Sequence, residues 1–262
     1  MQRLITAAHT DVGIKKKINQ DAICLEIAES DIGLIALAAI CDGMGGLADG
    51  EKASAIMTET LSGWFENSLA ASICRSGSLI SFDQFKDEFD FMIKTANDAI
   101  HKSGGGNSGT TICAVLLACD RYYTANVGDS RAYHLKDGKL IQITKDQTVV
   151  QHELDKGFIT EADIKTHPQR SVLLQCVGAS DIVFPEYCDG NYKSGDMFLV
   201  CSDGFRHEIT TEEFESMLNI DSTSDEEYIT LLKNLTALNK KRGEKDNISS
   251  ILIKPIQTGR FG

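Results

Sequence analysis

Four aspartates stand where this chain could do chemistry. They are Asp42 in Cys41-Asp42-Gly43-Met44-Gly45-Gly46, Asp129 in Gly128-Asp129-Ser130-Arg131, Asp203 in Cys201-Ser202-Asp203-Gly204 and Asp246 in Lys245-Asp246-Asn247-Ile248. Carboxylates that converge repel one another, and their pKa values rise unless a cation neutralises them. All-oxygen ligation without His or Cys suits magnesium or manganese far better than zinc or copper. Glycine beside a ligand, as at Gly43 and Gly204, allows close backbone approach or a positive φ. Two such metals sharing a carboxylate would sit about 3.5 to 4 Å apart and acidify the water between them toward a pKa of about 7, giving a hydroxide nucleophile at neutral pH. Any single Asp-Gly pair after a strand is more often a turn than a ligand. Four in this order, joined by Asn19-Gln20-Asp21 and Ser108-Gly109-Thr110-Thr111, are not what turns would produce by chance.

Delivering the carboxylates to one rim is a task for strand tips, and each aspartate follows or borders a run that reads as a strand, such as the apolar stretches 35–41, 113–127 and 197–201. Strands are expected at residues 4–10, 22–28, 34–41, 111–119, 122–127, 131–135, 182–187, 197–201 and 248–254. Two helical patterns lie between the third and the fourth. From Glu51, the positions Ala53, Ile56, Met57, Leu61, Trp64 and Phe65 form one apolar stripe. A second begins at Ser81, with Gln84 completing a capping box, and runs through Phe85, Phe89, Met92, Ile93, Ala96 and Ile100. Both stripes read as core. Thr210 with Glu213 and Ser224 with Glu227 predict a further capped helix pair before the last strand. Antiparallel strands with helices inserted in pairs favour an α+β two-sheet sandwich with helices outside.

With these motifs in this order from residue 8 to residue 253, the chain resembles the metal-dependent protein serine/threonine phosphatases of type 2C, and Asn19-Gln20-Asp21-Ala22 together with the Asp42 motif resembles their compact bacterial branch. The resemblance implies a four-layered αββα sandwich, two central antiparallel sheets flanked by helices, with two Mn2+ or Mg2+ ions at one end and a weaker third. It implies that Asp42 bridges the two metals, that Gly43 gives a backbone carbonyl to one, and that Asp203 and Asp246 are terminal ligands of the other. Asp42, Asp203 and Asp246 would thus carry catalysis through the metal-bridged hydroxide. Asp21 matches an acidic residue that holds a metal directly or through its waters, and Asp129 matches a ligand of the third metal, shared with Asp203. Arg131 is expected to be a structural ion-pair partner.

Three positions depart from the family pattern. Lys16 stands where an arginine often grips the phosphate, which keeps the charge and loses the bidentate fork, so phosphate binding there is weaker or shared with Lys15 and Lys17. Met44 stands where many relatives place a histidine proposed as general acid, and methionine cannot donate that proton, which leaves the general acid unknown. Asp146-Gln147-Thr148 replaces an Asp-His-Ser segment. The resemblance implies that residues 145–178 include a mobile flap beside the metal site, near which His167 and Arg170 could touch a phosphopeptide; the alternative is an ordinary surface excursion.

The expected activity is hydrolysis of phosphoserine and phosphothreonine in proteins, with direct attack and no covalent intermediate, in a signalling pathway with a cognate serine/threonine kinase. The alternatives are a catalytically silent phosphoprotein-binding or regulatory module of the same fold, and a small-molecule phosphomonoesterase. No Cys-x5-Arg nucleophile loop is present, since four residues separate Cys201 from Arg206. Residues 45–52 lack the lysine and hydroxyl of a phosphate loop, and His101, His134 and His152 have no metal-ligand spacing.

A chain of 262 residues with 42% hydrophobic content can bury one large core, and a single domain over 1–262 is expected. Twenty-six Lys and Arg against 38 Asp and Glu leave a net charge of −12, which argues against nonspecific nucleic-acid or anionic-membrane binding. Residues 1–10 lack the features of a signal peptide, so a cytoplasmic location is expected. The eight cysteines fall singly and read as buried reduced thiols.

Overall fold

One strand whose two faces enter different cores organises the molecule. In the computed structural model, which describes residues 2–45 and 49–257, β3 (Gly33–Met44) is buried on both faces. Ile35, Leu37, Ala39 and Cys41 pack into one core with Met57 and Leu61 of α1 (Asp49–Trp64) and with Phe85 and Phe89 of α3 (Phe82–Gly104). Ala36, Ala38 and Ile40 join a second core with Phe198 and Val200 of β10 (Met197–Cys201) and Ile251 and Ile253 of β11 (Ile248–Gln257). A strand alternates its side chains between faces, so Asp42 falls in register with the row facing the opposite sheet. Gly46 and part of the 45–52 segment lie outside the described residues.

One sheet follows the order β2 (Asp21–Ser30), β3, β5 (Ile112–Ala118), β6 (Arg121–Val127), β9 (Glu186–Asn191), with β4 (Gly109–Thr110) paired to β3. The other runs β1 (Gln2–Asp11), β11, β10, β7 (Arg131–Lys136), β8 (Lys139–Gln142). All of these pairings are antiparallel. A third core packs Leu199 and Leu252 against Phe205 of α6 (Asp203–Arg206), Phe214 of α7 (Thr211–Leu218) and Leu232 and Leu235 of α8 (Asp225–Arg242). Helix, sheet, sheet and helix therefore form the four expected layers. No helix among the described residues is long and apolar enough to cross a membrane.

Several boundaries differ from expectation. The capping boxes at Ser81 and Thr210 form, whereas Ser224 makes no side-chain cap and its hydroxyl bonds Glu226 instead. From α1 the chain continues through a π-helical turn (Phe65–Ala70) into α2 (Ala71–Ser76). Between β8 and β9 lie two short helices, α4 (Val149–Asp155) and α5 (Glu161–Ile164). Cys24, Cys41, Cys113, Cys176 and Cys201 are buried and free, as expected, but Cys74 and Cys119 are exposed. Cys119 lies just beyond β5 in a turn with φ of 52°, which carries it out of the sheet.

Candidate metal centre

Asp21 and Asp42 are register partners across β2 and β3. Like charges directly opposite on one sheet face destabilise each other. Burial is the first cause that holds the Asp42 carboxyl well above the usual range, and Asp21, Asp203, Asp129 and Asp246 add to it. Burial also pushes Asp21 up to about 7, with Asp203 and Asp246 adding to the rise. Ser202 and Ser249 oppose that rise, yet neither closes a hydrogen bond to Asp21, and both of its carboxylate oxygens are buried without a partner. Asp129 is pushed up to about 6 by burial and by Asp203, with Arg206 opposing. The structure therefore brings the other four predicted carboxylates within electrostatic reach of Asp42. Among the described residues no three His, Cys, Asp or Glu side chains are grouped so as to hold a metal ion as they stand.

The main chain at Asp42 is fixed by the Ser108-Gly109-Thr110-Thr111 motif. The Asp42 N–H donates to Thr111 Oγ1 at 3.0 Å, the Thr111 N–H donates to the Asp42 carbonyl at 2.9 Å, and Thr110 Oγ1 donates to the same carbonyl at 3.1 Å. Gly43 donates its N–H to the Gln20 carbonyl at 3.0 Å, and a Cβ on Gly43 would sit 2.0 Å from the Gly50 carbonyl oxygen. Gly204 has a similar duty, since a Cβ there would meet the Asn247 carbonyl oxygen at 2.2 Å. Neither glycine has a positive φ, so both serve close packing of backbone and not a turn.

Asp203 opens α6, with Oδ1 buried and unpartnered. Asp246 precedes β11, its Oδ1 accepting the Asn247 N–H at 2.8 Å. Asn247 had no assigned role in the sequence, and it ties the site together. Its Oδ1 accepts the Gln20 N–H at 2.9 Å, and its Nδ2 donates to the Val12 and Ile18 carbonyls at 3.0 and 3.2 Å. The Lys-Asp-Asn motif was the available signal, because an asparagine side chain can both donate and accept against backbone.

A cavity of about 1560 Å³ opens beside these groups, its wall including Lys16, Asp129, Asp203, Arg206, His207 and Asp246. Asp21, Asp42 and Met44 are not on that wall. Lys16 Nζ lies 2.6 Å from Asp246 Oδ1, so here the expected phosphate-binding cation pairs with an expected metal ligand. Burial disfavours its charge, and the bond to Asp246, aided by Asp42 and Asp203, more than compensates and raises its pKa.

Arg131 makes a two-point bond to Asp146, with Nε to Oδ1 and Nη2 to Oδ2 both at 2.8 Å, in the structural role expected of it. Arg206 donates to the Asp129 carbonyl at 2.9 Å and lies 3.5 Å from Asp146. Gln147 accepts from the Gly128 N–H, and Thr148 caps α4. Arg170 reaches the cavity wall, while His167 is off it, 3.3 Å from Glu153. His207, also unassigned from sequence, stands 3.5 Å from Asp203 and 3.1 Å from Glu244. Burial lowers its pKa, but the bond to Glu244 and the charge of Asp203 leave it raised.

Cys201 is fully buried and burial pushes its thiol up to about 12, which removes it as a nucleophile. Hard oxygen donors with orphaned buried oxygens on Asp21 and Asp203 fit a divalent cation, which would satisfy atoms that the protein leaves unpaired.

The sequence pattern described as Protein phosphatase 2C matches residues 10–252. The chain is 30% identical over 251 residues to the serine/threonine protein phosphatase PstP of Mycobacterium tuberculosis, covering 94% of this chain and 44% of that protein. It thus spans less than half the length of that relative. The Streptococcus agalactiae serine/threonine phosphatase structure superposes with a TM-score of 0.81 at 27% identity, covering 97% of this chain and 100% of the other. A structure of the PstP catalytic domain in complex with two manganese ions superposes with a TM-score of 0.77 at 27% identity, covering 98% and 100%.

Proposed function

The chain belongs to the protein phosphatase 2C family, and from that we propose that it is a metal-dependent phosphatase acting on phosphoserine and phosphothreonine in proteins. The observation that carries the reading is the pairing of Asp21 with Asp42 at the end of the inter-sheet layer, with the Asp21 oxygens buried and unpaired. Asp21, Asp42, the Gly43 carbonyl, Asp203 and Asp246 would hold two divalent cations, Mn2+ or Mg2+, in line with the two manganese ions in the PstP catalytic-domain structure. When bound, these supply neutralisation of the phosphoryl charge and activation of water for direct attack. Asp129 with Asp203 would form a third, weaker site, tempered by the adjacent Arg206 guanidinium.

The chain's own residues have defined tasks. Thr110 and Thr111 fix the backbone on which Asp42 rides. Lys16, on the cavity wall, supplies a cation to the substrate phosphate once Asp246 is engaged elsewhere. Met44 provides no proton, so the leaving oxygen takes one from water or from another group on the wall. Residues 145–178 form the flap of a single catalytic domain, with Arg170 placed to meet a phosphopeptide. A cytoplasmic protein opposing a serine/threonine kinase fits this activity.

The test is phosphate release from a phosphothreonine peptide by metal-stripped protein given Mn2+, Mg2+ or chelator. Turnover that requires metal and is abolished in Asp42→Asn and Asp203→Asn establishes the reading. Metal binding without turnover on any ester would instead establish a silent binding module, and turnover confined to small esters a metabolite phosphatase.

A further inference from the structure

Glu244 follows Gly243, the left-handed residue (φ 99°) that ends α8, and it is 7% exposed. A buried carboxylate requires partners for both oxygens. Its Oε1 accepts the Lys245 N–H at 2.6 Å and the Asp246 N–H at 2.8 Å. Its Oε2 lies 3.1 Å from His207 Nδ1. His207 stands one helical turn after Asp203, and its Nε2 is 3.5 Å from Asp203 Oδ2. One carboxylate thus grips the main chain that carries Asp246 and, through an imidazole, the side chain of Asp203.

We propose that Glu244 and His207 are positioning residues that set the separation of the Asp203 and Asp246 carboxylates and thereby the affinity for divalent cations; the inference rests on the metal-centre reading above. Among the described residues Asp203 has little else to orient it, since its Oδ1 has no hydrogen-bond partner and the His207 ring is the one ion-pair contact of its Oδ2. Gly204 brings the two backbones together but leaves the carboxylate free to rotate. A loop cap alone would use only Oε1 of Glu244, and the bond to His207 adds nothing to that loop. Groups that orient metal ligands from behind change affinity by about 10- to 100-fold when removed.

The test is calorimetric titration of the metal-stripped full chain with Mn2+, alongside its thermal melt without metal. Glu244→Ala and His207→Phe are each expected to weaken Mn2+ binding by about tenfold or more. The double variant should be no worse than Glu244→Ala, because both act through one chain of contacts. Glu244→Gln, which keeps an acceptor for the two N–H groups, should fall between wild type and Glu244→Ala. If Glu244→Ala does not fold, His207→Phe and His207→Gln decide the matter, since neither touches the loop backbone. Variants that melt earlier but bind Mn2+ as wild type does would overturn the inference. Wild-type protein that binds no divalent cation would overturn the metal-centre reading itself, an outcome distinct from equal binding by wild type and variants.

Discussion

Asp21 and Asp42 sit opposite each other on adjacent strands, two carboxylates paired in one register position. Folding holds Asp21 at about 7, whereas in the unfolded chain it returns to the ordinary value near 3.9. The native state therefore binds the extra proton, and the stability associated with it is present at acid pH and lost as pH rises through about 7. Metal-free protein should melt about 5 °C or more lower at pH 8 than at pH 5.5, with Mn2+ removing the difference. The raised His207 contributes with the same sign. Asp21→Asn should flatten the profile and weaken Mn2+ binding, and an unchanged profile in that variant would show that the strain lies elsewhere.

Lys16 separates binding from stability. Its pair with Asp246 is partly exposed, with side chains 39% and 37% accessible, and such pairs contribute about 0.2 to 1 kcal/mol. Lys16→Ala should therefore shift the melting temperature by only a few degrees while raising KM for a phosphopeptide several-fold. Lys16→Arg, which restores a planar fork, should raise kcat/KM above wild type. Steady-state kinetics on the three proteins checks both statements, and a lower kcat/KM in the arginine variant would remove Lys16 from phosphate recognition.

Gly204 admits no side chain. With a Cβ 2.2 Å from the Asn247 carbonyl oxygen, Gly204→Ala must push α6 away from the Asp246 segment. A cost of about 1 to 3 kcal/mol is expected in urea unfolding, together with loss of Mn2+ affinity, as for other overpacked sites. Wild-type affinity in this variant would mean that the backbone approach is dispensable to the metal centre.

Cysteine chemistry should be silent for catalysis. Iodoacetamide at pH 8 is expected to modify the exposed Cys74 and Cys119, to spare the buried Cys201, and to leave turnover unchanged. Peptide mass spectrometry of the treated enzyme, read beside its activity, tests this. Inactivation that tracks modification of Cys201 would contradict the absence of a covalent step.

Strands that are buried on both faces were the legible part of the fold. Met197–Cys201 matches its expected bounds because every residue in it is buried. The edge strands were harder. Ile182 and Phe184 suggested a strand at 182–187, but both are exposed, and Phe184 bonds the Gln175 side chain while β9 begins at Glu186. The short β8 buries only Leu140, and its one signal was the Asp137-Gly138 turn, with φ of 51° and 75°. Within the site, the ligand candidates were readable because each aspartate lies at or within two residues of the end of an element. Asn247 and the Glu244–His207 link were not, because Asn247 bonds the 12–20 segment and Glu244 reaches His207 from 37 positions away in sequence, contacts that only tertiary packing makes.

The strict alternation of β3 makes the chain unforgiving of changes in length. A single residue inserted or deleted between Gly33 and Ile40 would exchange the two faces of the strand beyond it, turning Asp42 toward the helix layer and Cys41 toward Asp21. Substitutions along this strand alter packing by degrees, whereas an insertion or deletion moves the carboxylate to the wrong side of a sheet. Tolerance to indels should therefore fall sharply at β3 and recover in the turns around it.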